Sequence, residues 1–304
     1  MQNHKFHTPV LVKEVVEILT TNVHLNDQAW IIDATLGSGG HTLELIRLGK
    51  NVLGIEMDEK MLEIANGRLE KACPVPDKCG AYKTYHGNFK DIDIIAKEVG
   101  IDKIAGILID LGVSNLQLTS TERGFSFSNP DADLDMRIDQ ENMGLKASDL
   151  LNALRENQLI EVFNQTMDFG EARALTKKVL RGRAFKKYVS VDDFLGTCES
   201  VVKRKNNLHP ATRAFLALRM AVNSELENLE EVLPKAISLL MPGGRLAIIS
   251  FHSGEDKVVK HVFGKSENLN DVSVITKTPL IPSEDEINDN PRSRSAKLRA
   301  VEKL

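Results

Sequence analysis

The pattern that most constrains this chain is an alternation of short apolar runs with helix-length segments over its first third. Residues 29–34, 51–55, 82–86 and 104–109 read as strands, and residues 41–48, 59–71 and 91–99 between them read as helices. Strands separated by crossovers of that length pair in parallel, and a parallel sheet needs helices over both of its faces. Upstream, Thr8 and Pro9 are expected to cap and open a leading helix whose apolar stripe is Val10, Leu11, Val15, Ile18 and Leu19.

The alternation stops after Asp110. Residues 116–142 are polar and rich in turn formers, and residues 148–205 read as several helices with no strand between them. A helical unit is therefore expected as an insert over residues 119–208, dividing an α/β domain into 1–118 and 209–304. One domain plus an insert suits a chain of 304 residues. A long helical stretch is expected over 210–240, a buried strand over 245–250 and a helix over 253–263. Residues 272–276 and 296–302 can complete the sheet on either side of an acidic, proline-containing loop at 279–291.

Composition narrows the class. Cys73, Cys79 and Cys198 are too few for a disulfide framework, and none has metal-ligand spacing, so a reducing compartment and no metal site are expected. Residues 1–20 hold no unbroken apolar stretch of signal-peptide length, and the longest apolar runs elsewhere are strand-sized, so the expected location is the cytoplasm, away from any membrane. The 43 acidic residues exceed the 39 lysines and arginines, giving a net charge of −4, which on its face argues against a nucleic-acid partner.

The strongest local feature is Asp33-Ala34-Thr35-Leu36-Gly37-Ser38-Gly39-Gly40-His41, where the first strand hands over to a helix. Glycines there let the backbone approach a ligand, and Glu56, 19 positions after Gly37 at the end of the second strand, can accept hydrogen bonds from ribose hydroxyls. This describes a nucleoside-cofactor site. The third glycine of a dinucleotide fingerprint is missing, and Asp33 would repel a pyrophosphate but suits a cation, such as the ammonium and sulfonium of S-adenosylmethionine. Asp110 ends the fourth strand and points at the same crevice, where it can hold the cofactor or accept a hydrogen bond from a substrate amine.

Further stretches extend the pattern: His7-Thr8-Pro9-Val10-Leu11, Gly106-Ile107-Leu108-Ile109-Asp110-Leu111-Gly112-Val113-Ser114, Glu122-Arg123-Gly124-Phe125-Ser126-Phe127 and Leu134-Asp135-Met136-Arg137. Then come His209-Pro210-Ala211-Thr212-Arg213, Val222-Asn223-Ser224-Glu225-Leu226, Ile249-Ser250-Phe251-His252-Ser253 and Asn290-Pro291-Arg292-Ser293-Arg294-Ser295. In this order, from His7 to the C-terminus, the chain resembles the bacterial 16S ribosomal RNA cytosine-N(4) methyltransferase family (RsmH, also called MraW).

The resemblance implies a Rossmann-like, S-adenosylmethionine-dependent methyltransferase domain interrupted by an all-helical substrate domain. It implies Gly39, Gly40 and His41 around the methionine end of the cofactor, Glu56 on the ribose, Phe89 beside the adenine, and Asp110 and Gln117 completing the pocket. S-adenosylhomocysteine would be the product and a decoding-centre cytosine of the small subunit the target. Three positions depart from the family: Glu56 stands for a common Asp, Leu116 for a proline before Gln117, and Gly254 for a leucine after Ser253. For the chemistry, Asp110 is the candidate acceptor at the amine, with Ser250 and His252 on the other wall. The target base must be unstacked, and Phe125, Phe127 and Phe251 are candidate stacking surfaces.

Charge is segregated along the chain. Residues 173–187 hold seven basic residues and no acidic one, residues 203–219 hold five more, and Arg292, Arg294, Lys297 and Arg299 cluster near the end. Arg181, Arg183, Lys186, Lys187, Arg213, Arg292 and Arg294 are accordingly expected to meet RNA phosphates, as free ribosomal RNA or within a 30S particle. Self-association as a homodimer is left open. Two competing readings are a small-molecule methyltransferase or nicotinamide dehydrogenase on the same fold, and a non-catalytic RNA-binding assembly factor. The basic insert and the missing glycine oppose the first; the Gly39-Gly40-His41, Glu56 and Asp110 set opposes the second.

Overall fold

The computed structural model of the chain describes residues 9–21, 28–74, 79–120, 122–204 and 209–304. The first third alternates as expected: α1 (Val12–Thr20), β1 (Trp30–Asp33), α2 (Gly40–Arg47), β2 (Asn51–Glu56), α3 (Glu59–Ala72), β3 (Tyr82–His86), α4 (Ile92–Val99) and β4 (Ile104–Asp110). Helices then follow without a strand: α5 (Asn115–Thr119), α6 (Ala147–Ala153), α7 (Glu156–Asn164), α8 (Phe169–Arg183), α9 (Val191–Glu199), α10 (Ala211–Asn223) and α11 (Glu225–Leu239). The chain ends with β5 (Leu240–Ser250), α12 (Ser253–Asn268), β6 (Val272–Val274), α13 (Glu284–Asp289) and β7 (Lys297–Lys303).

The sheet order is β3-β2-β1-β4-β5-β7-β6. Strands β1 to β5 pair in parallel, whereas β7 runs antiparallel to both β5 and β6. The order reverses between β1 and β4, and a crevice opens at the carboxyl ends of strands where such a switch occurs. Successive residues of the central strands feed two cores. Ile32, Leu53, Ile107 and Ile248 pack with Ile95 of α4, Leu233 of α11 and Phe263 of α12. Ile31, Val52, Leu108 and Ile249 pack with Leu19 of α1, Ile46 of α2 and Leu69 of α3. Each fully buried aliphatic side chain contributes about 1.5–3 kcal/mol, so the two faces together dominate the stability of this unit.

The chain forms two compact units, residues 1–114 with 226–304, and residues 115–225. The boundary expected at 208/209 is thereby corrected, because α10 folds with the insert. Asn223 at its end donates Nδ2–H to the Met136 carbonyl at 2.8 Å, and its Oδ1 accepts from the Ile138 N–H at 2.8 Å. Within the insert, Phe194 stacks on Phe163 and meets Phe215 at a tilt, forming an aromatic centre. Arg137 grips the buried Asp135 with Nε at 2.7 Å and Nη2 at 2.8 Å, while Arg123 Nη2 donates to the Arg137 carbonyl at 2.9 Å. Burial raises the Asp135 carboxyl, but these bonds outweigh it and hold the group below the usual carboxylate range.

Several expectations are revised. The leading helix begins at Val12 rather than at Pro9, because Leu11 adopts a left-handed conformation at φ 53°. The Leu11 N–H donates at 2.8 Å to Glu286, so the acidic segment expected as a loop is partly helical and anchors the start of α1. Thr8, the expected cap, lies outside the described residues. Cys73, at the end of α3, and Cys79, shortly before β3, form a disulfide, which runs against the expected reducing compartment. Cys198 is free and buried, and burial pushes its thiol far up. Among the described residues no helix is long and apolar enough to cross a membrane.

Candidate active site

The site is assembled at the carboxyl ends of β1, β2 and β4 and the start of α2. Asp33, the last residue of β1, is buried, and its Oδ2 accepts from Thr42 Oγ1 at 2.7 Å. Burial raises the Asp33 carboxyl above its ordinary value, opposed by nearby His41 and by the Thr42 bond. The turn that follows needs its glycines for different reasons. Gly37 and Gly39 have φ of 53° and 74°, where a Cβ is strained. Gly40 has ordinary φ, but a Cβ there would stand 2.9 Å from Pro9 Cγ, so this glycine seats the N-terminal segment.

Glu56 closes the turn from the side. Its Oε2 accepts from the Gly37 N–H at 2.7 Å and its Oε1 from the Asp58 N–H at 2.8 Å. The longer stem therefore leaves the carboxylate fixed beside the glycine turn. Burial pushes it up to about 7, and these two N–H bonds oppose that only in part. Asp58 also caps α3 by accepting from the Lys60 N–H at 3.1 Å.

Asp110 at the end of β4 is held by its backbone, whose N–H donates to Thr35 Oγ1 at 2.6 Å. Its Oδ2 lies 3.4 Å from His41 Nε2. Both His41 ring nitrogens and Asp110 Oδ1 are buried without a hydrogen-bond partner in the protein. Buried polar atoms left without partners are rare in native proteins and mark places where a ligand completes the network. Three carboxylates, Asp33, Glu56 and Asp110, with one imidazole make a site that favours a cation carrying hydroxyl or amine donors.

The remaining expected residues divide. Phe89 opens a short 3-10 helix after β3, half-buried against the core. Gln117 lies buried on α5 in the helical unit. Ser250 is buried, and its hydroxyl donates weakly to the Lys297 carbonyl at 3.4 Å. His252 caps α12: its Nδ1 accepts from the Glu255 N–H at 3.3 Å, and its Nε2 lies 3.1 Å from the Glu255 carboxylate. Glu255 in turn accepts from the Phe251 N–H at 2.8 Å, locking the Ser250–Ser253 loop around the helix start. Of the three residues expected at the chemistry, Asp110 and His252 each keep a buried atom without a hydrogen-bond partner, Oδ1 and Nε2, and that of Asp110 belongs to the His41 pair beside the glycine turn.

Sequence reasoning missed Thr35 and Thr42 as the groups orienting Asp110 and Asp33, although Thr35 stands in the glycine motif and Thr42 directly after it.

The expected RNA contacts are also divided. Arg183 donates from Nη1 to the Leu151 and Leu154 carbonyls at 2.8 Å each, closing the end of α6. Arg213 makes a two-pronged ion pair with Glu171 at 2.6 and 2.8 Å. Lys186 pairs with Asp193 at 2.6 Å but stays exposed. Arg181, Lys187 and Arg294 are exposed, as is Arg292, while Lys297 and Arg299 pair with Asp256. Phe125 is buried, and the half-buried Phe127 stacks one face on His209 at 5.0 Å. Phe251 packs among the sheet residues on the α1 side.

Comparison with known proteins follows the same outline. Residues 4–304 match the MraW methylase family. The protein named ribosomal RNA small subunit methyltransferase H of Carboxydothermus hydrogenoformans is 39% identical over 98% of this chain and 98% of its own. The protein of that name from Thermotoga neapolitana is 38% identical over 98% and 96%. Among solved structures, an rRNA methylase from Streptococcus thermophilus aligns over 96% of this chain and 93% of its own at 14% identity, with a TM-score of 0.44.

Proposed function

The chain belongs to the MraW methylase family, and from that premise we propose that it transfers a methyl group from S-adenosylmethionine to the exocyclic N(4) amine of a cytosine in small-subunit ribosomal RNA. The observation that carries the reading is the His41–Asp110 pair, whose buried ring nitrogens and carboxylate oxygen lack partners beside the glycine turn. Relatives that match this chain end to end carry the name of a small-subunit ribosomal RNA methyltransferase.

The residues present fit the cofactor. Asp33, Asp110 and His41 would hold the charged methionine end, Glu56 would take the ribose, and Phe89 would flank the base. When bound, S-adenosylmethionine supplies a methyl group already activated on a sulfonium. The amine of cytosine is a poor nucleophile because its lone pair is delocalised into the ring. Asp110 is the group that answers this: accepting a hydrogen bond from the amine favours the rehybridised form, and its carboxylate can take the proton released once the C–N bond has formed. Thr35 fixes the backbone of Asp110, and His252 positions the facing loop through its helix cap. Alignment of the reacting atoms supplies the rest of the acceleration. The small-subunit decoding-centre cytosine follows from the family resemblance, and such a substrate places the enzyme with ribosomes in the cytoplasm.

The test is transfer of labelled methyl to unmethylated small-subunit particles and to free 16S RNA, followed by mass spectrometry of the nucleosides. N(4)-methylcytidine at one position is the expected product. Label on no nucleoside, or on a ring carbon, ends the proposal.

A further inference from the structure

Phe185 is the most exposed large apolar side chain among the described residues, at 93% of its free surface. A phenylalanine so exposed gains nothing from folding, and a soluble fold normally buries it. Its surroundings are as unusual. Along α8, Arg173, Lys177 and Arg181 recur every fourth residue on the exposed side, with Ala172, Leu175, Thr176 and Val179 buried on the other. That stripe runs out at Phe185, with exposed Lys186 and Lys187 directly after it.

The turn that carries Phe185 is held from several sides. The N–H groups of Phe185 and Lys186 both donate to the Gly182 carbonyl at 3.0 Å. Arg183 is pinned to the end of α6, and Tyr188 is buried with its OH 3.0 Å from Thr197 Oγ1. A Cβ at Gly182 would stand 2.5 Å from the Tyr188 oxygen, so a larger residue there would displace the tyrosine. Asp193 fastens the far side by accepting from Lys186 Nζ at 2.6 Å and from the Val189 N–H at 3.0 Å. The exposed ring thus sits on a rigid pedestal, so a ligand can use it with little loss of backbone freedom.

An open aromatic face at the end of a basic stripe is the chemistry of single-stranded nucleic acid: phosphates track the cations and a base stacks on the ring. We propose that Phe185 is a stacking platform for an unpaired base of the RNA substrate, with Arg181 and Lys187 on the adjoining phosphates. The proposal rests on the RNA methyltransferase reading above and adds to it a base contact separate from the methylated nucleotide.

The test uses the full chain with unmethylated small-subunit particles and with a single-stranded 12-nucleotide RNA. Phe185→Ala should weaken RNA binding about 5- to 100-fold, raise KM for particles and leave kcat and S-adenosylmethionine affinity unchanged. Phe185→Trp should retain binding, and its emission should be quenched by the single-stranded RNA but not by the same strand in a duplex. Unchanged RNA affinity in Phe185→Ala overturns the proposal, as does an unquenched tryptophan. A changed sedimentation coefficient with unchanged RNA affinity would assign the ring to a protein contact instead. Absence of methyl transfer by the parent chain would strike the functional reading alone, since binding and quenching are read without turnover.

Discussion

At the scale of single residues the site is governed by what burial does to carboxylates. The Glu56 carboxyl lies at about 7 in the folded chain against an ordinary value of 4.5. Between those values the folded protein holds a proton that the unfolded chain has released, so this group makes stability fall as pH rises from 4.5 to 7. Ribose hydroxyls donate better to the ionised form, so cofactor affinity should climb as pH is raised through 7, with proton release on binding near pH 6.5. Calorimetry in two buffers of different ionisation heat measures this, and Glu56→Gln should abolish the release; equal affinity at pH 6 and 8 would contradict it. Asp110 is a second case. Asp110→Asn keeps the shape and the Thr35 bond to its backbone, so the fold should persist while kcat at saturating cofactor drops about 100-fold. Near-normal turnover would remove Asp110 from the chemistry.

At the scale of elements, the start of α2 shows how much of the site was legible and what was not. The glycine motif after β1 and the acid that ends β2 stood in the sequence because the chain must turn sharply there, and in the structure Glu56 accepts from the Gly37 N–H of that turn. The reason for Gly40 did not, since it depends on Pro9, which is 31 residues away along the chain. Gly40→Ala should lower stability by about 1–3 kcal/mol, read as a reduced Tm, through displacement of Pro9. Gly39→Ala meets only ordinary contacts with Leu69 and Ala65, and its cost of about 1–2 kcal/mol is backbone strain at φ 74°. A proline-truncated chain should therefore rescue Gly40→Ala and leave Gly39→Ala unchanged. The insert boundary was illegible for a similar reason. The break between α10 and α11 falls at Ser224, in a left-handed conformation at φ 48° that no glycine or proline announces. Phe185 escaped notice because a phenylalanine is expected in a core until its neighbours are known.

At the scale of the whole molecule, a net charge of −4 averages over segments of opposite sign, and charge counts cannot separate paired from unpaired arginines. Arg213 and Arg183 belong to the framework of the insert, the first through Glu171, 42 positions away, and the second through carbonyls of α6 and the residue after it. Arg213→Ala should accordingly lower Tm, at a cost of about 1.5–3 kcal/mol, and leave the salt dependence of RNA binding as it was. Arg181 and Lys187 have no carboxylate partner among the described residues and stand in solvent. Each phosphate neutralised on a single strand contributes about 0.7 to the slope of log K against log salt. Reversing the charge of both Arg181 and Lys187 should flatten that slope by about 1.4 while Tm and cofactor affinity stay at parental values. An equal loss of affinity at every salt concentration would instead mean that the two side chains act through shape or packing, and that the positive charge of the insert is directed elsewhere.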